Sequence, residues 1–473
     1  KLARAARAPR TTMVTMPWAN EAAPLKGSAD RFAPTTKFND VFFLLLMLAN
    51  LIGVAVIAAT DLPALTAGNQ KRDDDVVPAS SIAVGVVIVL VPSLITGAAC
   101  ISLFFYLVQR NAELMLKATL GLSLGMHIVL IGLLFGTGSL SGIACGILLI
   151  FGILIFGYFY WSSRQFIKFT GACFEVTLSF LRRHPSTVVL GPVSLVPAVC
   201  WAVLVSLCLY ANQQRAAEIV DADEARMVQA KMLFLVLSLY WVWQYVASTV
   251  HVTVAGAFAS WYFFGSRATS VVLSSLRRGF WSAGSVCLGS LIVAILQFIR
   301  NLVNRNGDGD NFLAQMVLSC IESLVRFYNK YAFCYVAIYG QSFSEAGRSV
   351  FSLFERHGIA TLLNDSTTDL ILTMAVFIGG AFGMLATGVI GIAVYGTSSG
   401  ALFFAMAGGA FVSGGLVYFV MQTVDSCVAT LFVCFVEDPA ALSVTAPEAY
   451  TILSTAWAQR YPEFSQARAH GAF

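Results

Sequence analysis

Between Leu237 and Phe264 the chain reads LSLYWVWQYVASTVHVTVAGAFASWYFF, with three Trp, three Tyr, one Gln and one His in an otherwise apolar run. Aromatic ring faces attract a cation through the ring quadrupole, by about 0.5–2 kcal/mol each. At about 100° per residue on a helix, Trp241, Gln244, Tyr245, Ser248, Ala255 and Ala259 share one face, with His251 at its edge. Tyr240, Trp243, Ala247, Val250 and Val254 fall largely opposite. The first face sets two rings, an amide and a hydroxyl above a run of small residues, the pattern of a cavity wall over a close helix contact. A second reading stays open for the same rings, because Trp and Tyr are enriched at membrane–water boundaries. Trp261 and Tyr262, near the end of the run, are expected in such an interfacial belt.

A later apolar segment holds a comparable set. Tyr328, Tyr331, Tyr335 and Tyr339 share one helical face, and Glu322, Arg326, Asn329 and Phe333 share another. Ionised side chains within a span face the bundle interior or water, because exposing them to lipid costs several kcal/mol. Glu322 and Arg326 are four residues apart and can pair on one helix face. Glu322 is also placed to attract a cation or carry a proton, whereas the tyrosine stripe reads equally as helix packing with hydroxyls bonded across the contact. Gln297 offers its amide either to a substrate hydroxyl or to a neighbouring helix. Asp425 needs a partner or neutralisation when buried, which points to a structural bond. Glu175, in a basic segment, reads as solvated or paired. His127 and His251 have no companions at metal-ligand spacing, so no metal site is expected.

The elements that would position these groups are membrane helices. Hydrophobic residues make up 58% of the 473, charged residues only 11%, and the mean hydropathy is +0.77. Soluble domains carry about 25% charge. A span needs about 20 mostly apolar residues, and ten candidates meet that length: 39–59, 82–108, 114–135, 139–161, 187–211, 230–262, 280–303, 314–340, 368–395 and 401–436. The sequence therefore predicts an all-α integral membrane protein with about ten transmembrane helices in a single bundle. Residues 1–38 form a basic tail, 39–436 the helical domain and 437–473 a C-terminal tail.

Charge asymmetry orients the bundle. With the N-terminus inside, Arg164, Lys168, Arg182, Arg183, Arg267, Arg277, Arg278, Arg348 and Arg356 fall in inner segments. The outer segments hold only Lys71, Arg72, Arg215, Arg226 and Arg305. A Lys/Arg excess marks the cytoplasmic side, so both termini are expected there. The opening KLARAARAPRTT carries four basic residues and no acidic one, which suits either a tail beside anionic lipids or an organellar targeting segment. The ten cysteines fall nearly all within apolar segments, so no disulfide framework is indicated. There is no phosphate-binding GxxxxGK[ST] loop, HExxH or paired CxxC, and the Asn364-Asp365-Ser366 sequon lies on the expected inner side. No enzyme chemistry, cofactor or nucleic-acid partner is expected.

Four stretches go further. They are KFNDVFFLLLMLANLIGVAVIA; TVAGAFASWYF with SLRRGFWSAGSVCLGSLIVAILQFIRNLV; IESLVRFYNKYAFCYVAIYGQSF through LLNDSTTDLIL; and VDSCVATLFVCFVEDPAAL with YPEF. Together they resemble the choline transporter-like family, in the branch best known from fungi and protists. The resemblance implies ten transmembrane helices, cytoplasmic termini and transport of choline or a related amine. Residues 60–81 depart from animal members, which carry a long, glycosylated, Cys-bearing loop at that place.

The expected function is a secondary transporter or facilitator for choline or a related small organic cation, with membrane lipids as surroundings. The plasma membrane is the expected location, and a mitochondrial or other organellar membrane the alternative. Rival readings are a structural or regulatory subunit of a larger assembly and a lipid-handling protein of the same fold. The residues expected at the substrate are Trp241, Gln244, Tyr245, Ser248, Gln297, Glu322, Tyr331 and Tyr335.

Overall fold

The computed structural model describes residues 38–69, 79–136, 138, 143, 146–147, 149–154, 157, 167–218, 221–265, 270–305, 312–396 and 400–460. Among them there is no strand. The main helices are α1 (Val41–Asn69), α2 (Ala79–Gly136), α3 (Ile167–Arg183), α4 (Ser186–Glu218), α5 (Ala222–Phe264) and α6 (Val271–Trp281). They continue as α7 (Ala283–Arg305), α8 (Phe312–Tyr339), α9 (Phe343–Tyr395), α10 (Gly400–Glu437), α11 (Pro439–Thr445) and α12 (Pro447–Arg460).

Seven of the described helices are long and apolar enough to cross a membrane, within 41–63, 85–111, 186–216, 222–264, 283–304, 367–395 and 400–437. The chain is an all-α multi-pass membrane protein. α8 has the length, but Glu322, Arg326 and Lys330 interrupt its hydropathy. The expected second and third spans join in α2 across a break at Asn111 (φ −164°, ψ 88°). There the Asn111 side-chain oxygen accepts from the Leu114 backbone N–H at 2.9 Å, the way an asparagine starts a helix. The expected fourth span and the N-terminal basic tail lie largely outside the described residues. The segment expected as a C-terminal tail instead begins with α11 and α12, whose Leu442, Leu453 and Trp457 are buried in the main core.

Small residues set the helix separations. Ser413 Oγ on α10 donates to the Gly379 carbonyl on α9 at 2.7 Å. A side chain at Gly383 would run into the Gly409 carbonyl and the Ser413 side chain. Close backbone approach of this kind replaces the hydrophobic drive that lipid cannot supply. The small-residue run of α5 behaves alike: Ser275 Oγ of α6 donates to the Thr253 carbonyl at 2.7 Å, and Arg278 Nη2 reaches the Gly256 carbonyl at 3.0 Å. Trp261 and Tyr262 are not an exposed belt. Trp261 packs beside Phe180 of α3, and Tyr262 donates to the Asp438 carbonyl at 2.9 Å, because helices at this end cover them.

Gly383→Leu is expected to destabilise the protein by about 1–3 kcal/mol through overpacking, read as a lower melting temperature in detergent. Gly415→Ala, at a helical position with nothing within 4 Å, does not lower the melting temperature, since Ala is the better helix former.

Candidate functional site

α5, α7, α8, α9 and α10 enclose a cavity of about 450 Å³. Its polar character originates on α8, where Glu322, Arg326 and Lys330 recur at intervals of four and so stack along one face. Arg326 and Lys330 line the cavity directly, with Ser323, Phe327 and Asn329. Ser323 and Arg326 are exposed, whereas Lys330 is half-buried and Asp425 buried.

The charges separate into two layers. In the first, Glu322 accepts from Arg326 Nε at 3.0 Å and Nη2 at 2.7 Å. It also accepts from Arg300 Nη1 at 2.8 Å and Gln297 Nε2 at 3.3 Å. Two guanidinium groups against one carboxylate leave this layer one charge positive. In the second, Lys330 Nζ lies 2.6 Å from Asp425 Oδ1 and 3.6 Å from Asp369 Oδ1. Among the described residues, this layer sets one ammonium beside two carboxylates. His251 lies beside it, with Nδ1 2.7 Å from Ser426 Oγ and Nε2 2.9 Å from the Lys330 carbonyl oxygen. The imidazole thereby fixes the backbone of α8 at Lys330.

Rings of Trp243, Phe327, Phe333 and Tyr418 line the same cavity, and amides of Gln244, Gln297 and Gln422 add acceptors and donors. Carboxylates within a pocket walled by aromatic faces are suited chemically to a small cation. Beyond it the interior is closed. Tyr331 packs edge-on against Phe327, Phe354 and Phe432, and Tyr335 donates to Glu437 Oε1 at 2.7 Å. The start of α1 ties into the same end: Asp40 Oδ2 accepts from Ser285 Oγ at 2.6 Å and from the Phe343 N–H at 2.9 Å.

Of the eight residues expected at the substrate, Gln244, Ser248 and Gln297 line the cavity. Trp241 does not. It is 4% exposed, donates from Nε1 to the Cys287 carbonyl at 3.1 Å, and packs with Met47 and Ala294. Tyr245 is half-buried against the core, away from the cavity lining. Tyr331 and Tyr335 belong to the closed end, and Glu322 holds Gln297 and the two arginines at the open one. The two expected aromatic faces therefore do not converge on one cavity. The face of α5 that meets it carries Trp243, Gln244, Ala247, Ser248 and His251. The inward arc is displaced because the Trp241 indole N–H finds a backbone carbonyl on α7, which removes that ring from the lumen.

A family model described as plasma-membrane choline transporter matches residues 146–440. That is more than half of the chain, and it contains every helix that lines the cavity. The chain belongs to the plasma-membrane choline transporter family. Protein PNS1 of Debaryomyces hansenii is 28% identical over 60% of this chain and 61% of its own length. A CTL-like protein of Dictyostelium discoideum is 28% identical over 90% of this chain and 76% of its own. Protein PNS1 of Gibberella zeae is 30% identical over 51% and 48%. The matches thus span less than two thirds of the Debaryomyces and Gibberella relatives' own length.

Sequence reasoning passed over Lys330 and Asp369 and put Trp243 on the opposite face; the structural bond it expected for Asp425 is present, to Lys330 at 2.6 Å. Lys330 carried a visible signal, the third member of the 322/326/330 series within an apolar segment. Asp369 had none, since it stands at the edge of an expected span and only folding brings it to Lys330. Among the described residues of this choline transporter family member, no cluster of three or more His, Cys, Asp or Glu could hold a metal.

Two outcomes check this geometry. A cysteine at Trp243 (39% exposed) is expected to react with an aqueous thiol reagent much faster than one at Trp241. Glu322→Gln strands two partly exposed arginines, at a cost of about 1–2 kcal/mol once solvent screening is allowed for. That cost appears as a lower melting temperature, partly restored in Glu322→Asp.

Proposed function

We propose that the protein is a secondary transporter or facilitator for choline or a related small organic cation, and that the cavity is its substrate site. The observation that carries this reading is the pair of carboxylates, Asp369 and Asp425, in a cavity walled by aromatic side chains, open at one end and sealed at the other. Arg326 and Asp369 have side chains 41% and 59% exposed. Charged groups exposed to that degree within a membrane bundle need water around them, which supports an aqueous vestibule over a lipid-filled one.

A quaternary ammonium has no N–H, so its recognition falls to carboxylate charge and ring faces. Trp243, Phe327, Phe333 and Tyr418 supply the faces, and Gln244, Gln297 and Ser248 serve the hydroxyl of the substrate. Trp241, Tyr245, Tyr331 and Tyr335 hold the surrounding helices, and Glu322 neutralises one of the two guanidinium charges at the mouth so that a cation can pass. The Lys/Arg distribution supports placing the Glu322 end outward and the α11–α12 end in the cytoplasm, and the family's description favours the plasma membrane. Substrate then enters from the open end, and the packed aromatic plug of Tyr331, Phe354 and Phe432 must part to release it, as alternating access requires. A monovalent cation gains roughly 2.3 kcal/mol per 100 mV of inside-negative potential, so accumulation needs no other engine.

The test is uptake of labelled choline into proteoliposomes with an imposed potential. The native protein is expected to show potential-dependent uptake. Asp425→Asn should abolish it, and Trp243→Ala should raise KM by about tenfold, the upper range for one desolvated cation–π contact. Absence of uptake by the native protein under an inside-negative potential would sink the reading.

A further inference from the structure

The substrate-like charge already in the site belongs to the protein. Lys330 Nζ sits 2.6 Å from Asp425 Oδ1, the contact that an incoming cation would need. A second carboxylate, Asp369, lies 3.6 Å from the same Nζ and is much more exposed. The two carboxylates stand on different helices, α10 and α9, and Lys330 on a third, α8. The Lys330 backbone is held by His251, whose Nε2 lies 2.9 Å from its carbonyl oxygen, so movement is left to the flexible side chain. A four-carbon stem reaches either carboxylate without a shift of the helix.

From this geometry we infer that Lys330 is a resident cation that the substrate displaces: on binding, the organic cation takes the contact with Asp425 and the Lys330 ammonium swings onto Asp369. The assignment rests on the reading of the cavity as an organic-cation site and adds to it a competitor built into the chain. It accounts for an ammonium placed where a cation transporter would otherwise repel its own substrate. Asp369 then has a definite task, to receive the displaced charge. The empty site stays neutralised, because the half-buried Lys330 covers the buried Asp425 until substrate arrives. The exchange also moves an ion pair from the α8–α10 contact to the α8–α9 contact, so occupancy changes which helices are held together.

The experiment measures binding of labelled choline to the purified full-length protein in nanodiscs, with the ligand-induced rise in melting temperature as a second readout. Lys330→Met removes the competitor and is expected to tighten choline binding by about tenfold or more, since it deletes a like charge at contact range. Lys330→Arg, which keeps the competing charge, should show no such gain. Asp369→Asn should weaken binding, and by a larger factor in the native background than in Lys330→Met, because only the native protein must rehouse the ammonium. Equal or weaker binding by a folded Lys330→Met, or equal effects of Asp369→Asn in both backgrounds, would overturn the inference while leaving the transporter reading intact. If Lys330→Met does not fold, Lys330→Gln takes its place: tighter choline binding is expected, and equal or weaker binding overturns the inference. Choline binding by neither the native protein nor its Lys330 variants would remove both readings together.

Discussion

An ionised side chain within a membrane bundle must find an opposite charge or water, because hydrocarbon offers neither. α8 carries three such groups, Glu322, Arg326 and Lys330, one turn apart. Meeting their demands dictates what surrounds α8. Arg300 and Gln297 of α7 turn toward Glu322, Asp425 of α10 and Asp369 of α9 turn toward Lys330, and His251 of α5 holds the Lys330 backbone. Five helices are thus gathered around one polar seam, and the cavity is the space they leave.

The remaining bundle is held by other means. Between α9 and α10 the glycines at 379, 383 and 409 let backbones meet, and Ser413 bonds across the contact. At the closed end, aromatic packing and the Asp40 bonds to α7 and the start of α9 lock the helices together. The two halves differ in the way that a gated pathway needs. One is polar and held by ion pairs, and the other is densely packed.

Much of this was legible in the residues. Composition gave the membrane class, and the apolar runs near 20 residues include the seven described helices that can cross a membrane, with a gap near the break at Asn111. The expected small face of α5, Ala255 and Ala259, is buried, the tight contact to α6 falls at Thr253 and Gly256, and Gln244, Ser248 and Gln297 line the cavity. Helical periodicity was less reliable for the rings. Trp241 and Trp243 are two residues apart on nearly opposite faces, and both are amphipathic. Which one looks inward depends on where the neighbouring helix brings a backbone carbonyl within reach, here that of Cys287, and no local pattern records that. Trp261 and Tyr262 looked interfacial because α3, α11 and α12 are too modest in hydropathy to announce that they would cover them. Asp369 is a case of the same kind, a residue at a span's edge that only a long-range contact makes important.

The most direct test of an organic-cation site here is to see the cation. Arsenocholine keeps the shape and charge of choline and carries an anomalous scatterer at the cationic centre. In crystals of the complex, a site of the kind described gives one anomalous peak beside Asp425, among the rings of Trp243, Phe333 and Tyr418. A peak only outside this cavity, with the cavity unchanged at saturating ligand, would contradict it.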